Sequence, residues 1–203
     1  MEKSKTQDLI GATVLRGSQN FEKSKISGIY TAVRCIKADG NLRWEDNIHN
    51  VITDVGANFM LDQCFGGAQN TAYFLGLISS VGYTGLPVAA DTMASHASVN
   101  HVWIEAGNGS NYPNWNTPAS NARVAITWSA ANARAKALSA VASFVIATNP
   151  GTVKGCFIVT GSGAVATNND TNGILFSAGV FSGGDKIVGI ADTLQVSYQM
   201  SLS

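Results

Sequence analysis

After residue 29 the chain falls into a period-two alternation of apolar and polar residues, interrupted by clusters of Gly, Asn, Asp and Pro. That rhythm predicts short strands joined by turns. Tyr30, Ala32 and Arg34 alternate with Thr31, Val33 and Cys35, and Asp39-Gly40 then forms a turn dipeptide. Asn41–Glu45 reads as the returning arm of a hairpin, and Ile48–Ile52 as a further strand or its continuation. At Thr53-Asp54 the rhythm changes to a helical one over 54–65, with Val55, Phe59, Met60, Cys64 and Phe65 on an apolar stripe. A side-chain oxygen of Asp54 is the expected N-cap, and Gly66-Gly67 the stop.

Tyr73–Ile78 is almost wholly apolar, as in a strand buried on both faces. A long connection follows over 80–100, with a single helical turn expected at Asp91–His96. Period two returns at Val124, Ile126 and Trp128, at Ala142, Phe144 and Ile146, and again from Val153 to Val159. Ile174–Phe181 follows, and Gly183-Gly184 before Asp185 reads as a hairpin turn. Thr193–Met200 is the clearest half-buried strand in the sequence. Ala130–Ala142 has helical propensity, but an all-alanine face buries little, so loop plus strand is the better reading. The sum is a mainly β chain: an antiparallel β-sandwich, jelly-roll or immunoglobulin-like, with one short helix. Residues 29–203 would form that domain. Residues 1–28, polar apart from Leu9-Ile10 and Val14-Leu15, form an N-terminal arm, either extended along a neighbour or a disordered tail.

Composition narrows what such a domain does. Only 13% of the 203 residues are charged, about half the usual share. Thirteen basic and thirteen acidic side chains cancel, so colloidal repulsion is weak and association is favoured. Residues 1–50 carry eight Lys/Arg and six Asp/Glu, which is no phosphate-binding footprint, and no direct nucleic-acid binding is expected. MEKSKTQDLI has no apolar core of a signal peptide, and no apolar run reaches membrane-spanning length. Cys35, Cys64 and Cys156 are widely spaced, outside any CxxC, and read as buried free thiols.

Candidate chemistry is sparse. Asp91, His96, His101 and Glu105 could offer oxygen and nitrogen ligands, but their spacing matches no compact metal motif. No G-x-S-x-G elbow is present, and the glycine-rich pieces lack the Lys-Ser/Thr ending of a phosphate loop. No catalytic residue, cofactor or metal is therefore assigned, and the chain is not expected to be an enzyme. Trp103, Tyr112 and Trp115 stand among Asn, Gly and Pro, either as loop anchors in the core or as an exposed platform for a partner.

The stretch from Ala38 to Asp62, with its Asp39-Gly-Asn-Leu-Arg-Trp44 hairpin and His49-Asn50 before a short helix, resembles the opening of a group of small tailed-phage proteins. The likeness continues at Tyr73–Ser79, Asp91–His96, Trp103–Ala106, Leu175–Asp185 and Asp192–Tyr198. It implies a virion structural protein assembled in the host cytoplasm, and it brings no catalytic residues with it. The first function it implies is a capsid decoration or cement protein that stabilises the head by contacts with the major capsid protein and with its own copies. A tail, adaptor or fibre-associated subunit is the second. A third function, a glycan-binding module, is read from the residues and not from the likeness: Trp103, Tyr112 and Trp115 among Asn residues would offer a stacking platform and amide hydrogen bonds. Leu9, Ile10, Val14 and Leu15 of the arm, Asp39 and Asn41 of the hairpin, and Trp103, Tyr112 and Trp115 are the expected partner contacts.

Overall fold

The computed structural model describes residues 25–65, 72–94, 103–107 and 112–202. These form eleven strands and one helix. In chain order they are β1 (Ile26–Ile36), β2 (Leu42–Ile52), α1 (Asp54–Phe65), β3 (Tyr73–Ser79), β4 (Trp115–Thr117), β5 (Val124–Ala125), β6 (Ala135–Ala137), β7 (Ala142–Ile146), β8 (Gly151–Thr160), β9 (Ile174–Val180), β10 (Lys186–Val188) and β11 (Thr193–Leu202). The protein is mainly β, and its antiparallel sheet is curled into a half-barrel. The hydrogen-bonded order is β4-β7-β11-β1-β2-β9-β8-β3-β5, with β6 beside β11 and β10 beside β8.

The curl is made on β2. Its stretch from Leu42 to His49 pairs with β1, whereas Asn50–Ile52 pairs with Gly179–Ser177 of β9. One strand thus serves both halves of the sheet, and the concave faces of the halves close on a common core. Tyr30, Val33 and Cys35 of β1 and Leu194, Val196 and Tyr198 of β11 meet Leu75, Leu77, Ile158 and Phe176 of the other half. Across the closure the Tyr30 and Tyr198 rings lie 4.8 Å apart, and the Phe176 ring lies 6.5 Å from Tyr198.

A bulge sets the phase of β1. Thr31 faces Ser197 and Arg34 faces Gln195, so β1 spends one residue more than β11, and the same slip occurs against β2. The extra residue is Ala32, held at φ 45°, with its N–H donated to Asn47 Oδ1 at 3.1 Å. Simple alternation groups Tyr30 with Ala32 and Arg34; the bulge instead brings Tyr30 onto the same face as Val33 and Cys35, and Arg34 is exposed. β8 repeats the device, with one extra residue between the partners of Ile78 and Ser79.

The convex side of β3, β8 and β9 carries a second apolar layer. Ile78, Phe157, Val159, Leu175 and Ala178 are covered there by Met93 and Trp103 from the long connection. β3 is therefore buried on both faces, as its near-continuous apolar run predicts.

The helix lies where the sequence places it, but its cap is Thr53. Thr53 Oγ1 accepts the Gly56 N–H at 3.1 Å, and the hydroxyl itself donates to the Leu175 carbonyl. Thr53 wins over Asp54 because one hydroxyl both caps α1 and anchors it to β9. Gly183-Gly184 is also reassigned. Gly155 pairs with Val180 and Val153 with Lys186, so β9 and β10 run the same way along one edge of β8. The Gly-Gly segment is an excursion from a continuing edge, not a hairpin. β1 begins at Ile26, three residues before the Ile29 at which strand signals begin in the sequence, and residues 1–24 of the expected arm lie outside the described residues. Ala135–Ala137 is a strand, and among the described residues no helix is long and apolar enough to cross a membrane.

Candidate functional site

The β1–β2 hairpin tip is built by local rules. Lys37 and Asn41 close the turn through N–H to carbonyl bonding at 2.8 Å, and Gly40 sits at φ 83°, a conformation that costs glycine little. The Asp39 carboxylate accepts the Asn41 N–H at 2.9 Å, and that bond holds its carboxyl below the ordinary range. Asp39 and Asn41 are both exposed.

Immediately after the tip, β2 is tied to the β10–β11 connection. Trp44 Nε1–H donates to the Ile187 carbonyl at 2.7 Å. Arg43 Nε meets Asp192 Oδ2 at 2.7 Å, while the Gly189 N–H reaches the same oxygen at 2.6 Å. One step further, Lys186 Nζ lies 2.7 Å from Asp46 Oδ2. These bonds fix two chain segments at one end of the sheet, and from them three aliphatic side chains face water: Leu42 at 52%, Ile187 at 65% and Ile190 at 60% exposure. Scattered exposed aliphatics are ordinary, but three beside a hydrogen-bonded hairpin tip form a candidate contact surface.

The buried polar groups close to it are held in hydrogen bonds and ion pairs. Burial pushes the Asp192 carboxyl up, but the Gly189 N–H, Arg43 and Cys35 outweigh it and hold the group below its ordinary value. Burial and then the Asp192 charge raise the Cys35 thiol to about 12, so at neutral pH it is a thiol that donates to Asp192 at 3.4 Å. On the other half of the sheet, Arg123 and Glu105 pair in a bidentate fork at 2.9 and 2.8 Å, both side chains fully enclosed. Arg123 also donates to the Asp170 carbonyl at 2.7 Å, and Glu105 accepts the Asn169 N–H at 2.7 Å. Burial moves the Glu105 carboxyl up, partly offset by Arg123. The cluster clamps the 161–173 loop onto the segment around residue 105.

The remaining sequence-predicted positions separate. Leu9, Ile10, Val14 and Leu15 lie outside the described residues, as do His96 and His101. Trp103 is fully buried in the outer layer, 5.3 Å from the Phe157 ring, and Trp115 is buried in the inner core, 5.1 Å from Phe144. Only Tyr112 is exposed, at 39%. Two rings packed in different layers give no stacking platform, so the loop-anchor alternative holds for both tryptophans and the glycan-binding reading loses its basis. Asp91 accepts the Val88 N–H at 2.9 Å in a loop staple, and Glu105 is taken by Arg123. Among the described residues no three His, Cys, Asp or Glu side chains gather as metal ligands. Cys35 and Cys156 are buried as expected, whereas Cys64 is exposed on α1.

Sequence reading missed Leu42, Ile187 and Ile190 as surface residues. Ile187 and Ile190 flank Val188-Gly189 in a pattern typical of any half-buried strand, and nothing local joins them to a hairpin about 145 residues earlier in the chain. No protein-family model matches the chain, and comparison with curated proteins and with solved structures finds no match.

Proposed function

We propose that the chain is a structural subunit of a tailed-phage particle, acting as a head decoration or cement protein. The observation that carries this reading is the end of the sheet where Leu42, Ile187 and Ile190 face water on hydrogen-bonded backbone beside the Asp39–Asn41 tip. Covering such side chains gains roughly 25 cal/mol per Å² of apolar area. One patch of this size binds weakly. Repeated over a lattice, weak contacts add, and a subunit that prefers the assembled shell shifts its neighbours toward the intact state. The low charge and zero net charge suit a surface that is covered in use. The resemblance of residues 38–62 to small tailed-phage proteins supports the same class.

Within this reading the curled sheet is a β-sandwich whose two layers remain joined through β2, and the hairpin end is the edge that meets the shell. Quantitative peptide mass spectrometry on purified particles tests the proposal. A copy number comparable with that of the major shell protein is the expected result. A small fixed number would move the chain to a portal or tail ring, and absence from particles would overturn the structural reading.

A further inference from the structure

A second surface is independent of the virion reading. An apolar groove of about 480 Å³ opens between the C-terminal half of α1 and the ends of β1, β6 and β11. Phe59, Tyr73 and Trp128 line it as a connected aromatic series, with ring centroids 6.4 Å apart for the first pair and 5.5 Å for the second. Leu61 and Leu202 stand about half exposed on its walls, at 53% and 49%. An apolar groove with this aromatic floor suits a short length of polypeptide that carries aliphatic side chains.

We infer that this groove is the docking site for the chain's own N-terminal segment, and that Asp8-Leu9-Ile10 is the part that occupies it. The described chain begins at the groove's lip, since Ile26 lines it and pairs with Leu202. Twenty-four residues precede that region. Ile10 lies sixteen positions before Ile26, a reach of up to about 55 Å when extended, ample for the chain to turn back over the opening. Attachment at the lip gives the segment an effective concentration on the order of millimolar, which a separate copy matches only in dense assemblies. Charge selects between the two aliphatic pairs of the segment. The groove's rim carries Arg134 and Lys136. Asp8 adjoins Leu9-Ile10 and complements that rim, whereas Arg16 adjoins Val14-Leu15 and is repelled by it.

Cys64 reports on the groove in the intact protein. It lines the opening and is exposed, while Cys35 and Cys156 are buried with thiols pushed far up. Maleimide alkylation of Cys64 is measured on the full chain, on the Leu9→Asp/Ile10→Asp variant and on the Val14→Asp/Leu15→Asp variant. A groove open about one time in ten is labelled about tenfold more slowly, so the first variant is expected to react about tenfold faster than the unmodified chain. The second variant is expected to match the unmodified chain. Equal rates in all three, or acceleration by the second variant alone, would overturn the inference. An Ile10→Cys variant treated with a short bis-maleimide at micromolar protein is expected to cross-link to Cys64 at monomer mass. A product of dimer mass would replace the chain's own segment with that of a second copy and so also overturn the assignment.

Discussion

At the scale of single residues, the polar groups of the interior act as fasteners between segments distant in sequence. Arg123 is the most demanding, because its guanidinium is fully enclosed and its charge is balanced by Glu105 alone among the carboxylates it meets. Removing one partner of such a pair leaves an uncompensated buried charge. Arg123→Met is expected to destabilise the fold by about 3–5 kcal/mol, read as a lower midpoint in urea unfolding. Asp46 and Asp192 predict the response to acid. The hydrogen bond from Lys186 leads in holding the Asp46 carboxyl below its ordinary value of 3.8; at Asp192 burial opposes, but the Gly189 N–H and Arg43 prevail. A folded value below the unfolded one stabilises the protein above the unfolded value, and that stability is lost as pH falls through the folded one. Glu105 has the opposite sign: its contribution is present below its ordinary value of 4.5 and lost as pH rises through its raised folded value. The urea midpoint is therefore expected to fall as pH drops below 3.8, and Asp192→Asn is expected to flatten that fall.

At the scale of elements, close backbone approach decides more than propensity. α1 rests on β9 through Gly56, where an added Cβ would lie 2.4 Å from the Phe176 carbonyl oxygen. In an isolated helix Gly→Ala gains about 1 kcal/mol. Here overpacking reverses the sign, and Gly56→Ala is expected to destabilise by about 1–3 kcal/mol in the same urea assay. The bend of the sheet has a similar cause. A Cβ on Gly155 would lie 2.0 Å from the Gly179 carbonyl oxygen, and one on Gly179 would lie 2.6 Å from Ile48 Cγ2. These two glycines let β8, β9 and β2 close up where the halves join, and Gly155→Val is expected to prevent recovery of soluble folded protein on expression. The hairpin, α1, β3 and β11 were legible in advance, because each obeys a pattern written within a dozen residues. The phase of β1 and the continuation of β9 into β10 were not, because an inserted residue is visible only against the partner strand.

At the scale of the whole molecule, the curl leaves one end of the sheet with exposed aliphatic side chains and places an apolar groove beside α1. The proposed contact surface makes a separable prediction. Leu42→Asp combined with Ile187→Asp is expected to abolish or strongly reduce the amount of chain on purified particles. Since both side chains are more than half exposed, stability is expected to change by no more than about 0.5 kcal/mol per site in thermal unfolding. Loss of folding in the variant would show that the pair serves the core instead, and undiminished occupancy would remove this end from the interface. The candidate site was partly legible: Asp39 and Asn41 are at an exposed tip, as a turn dipeptide requires. The sequence leaves Trp103 and Trp115 open between core anchor and partner platform, because a loop's aromatic residues are compatible both with anchoring and with display. Only the layer beneath each ring decides.

The sequence by itself determined that this chain is mainly β with one short helix, since periods of two and of 3.6 are properties of a segment and its own side chains. It determined the Asp39-Gly40 turn, the α1 span and the half-buried rhythm of β11 for the same reason. Tertiary structure decided that β2 joins both halves of the curled sheet, that Thr53 rather than Asp54 caps the helix, and that Glu105 belongs to Arg123. It also decided that Leu42, Ile187 and Ile190 share an end while the tryptophans go inside. Each of those outcomes depends on a partner far along the chain, and the energy of a contact between distant segments is set by the closed fold, not by either segment alone.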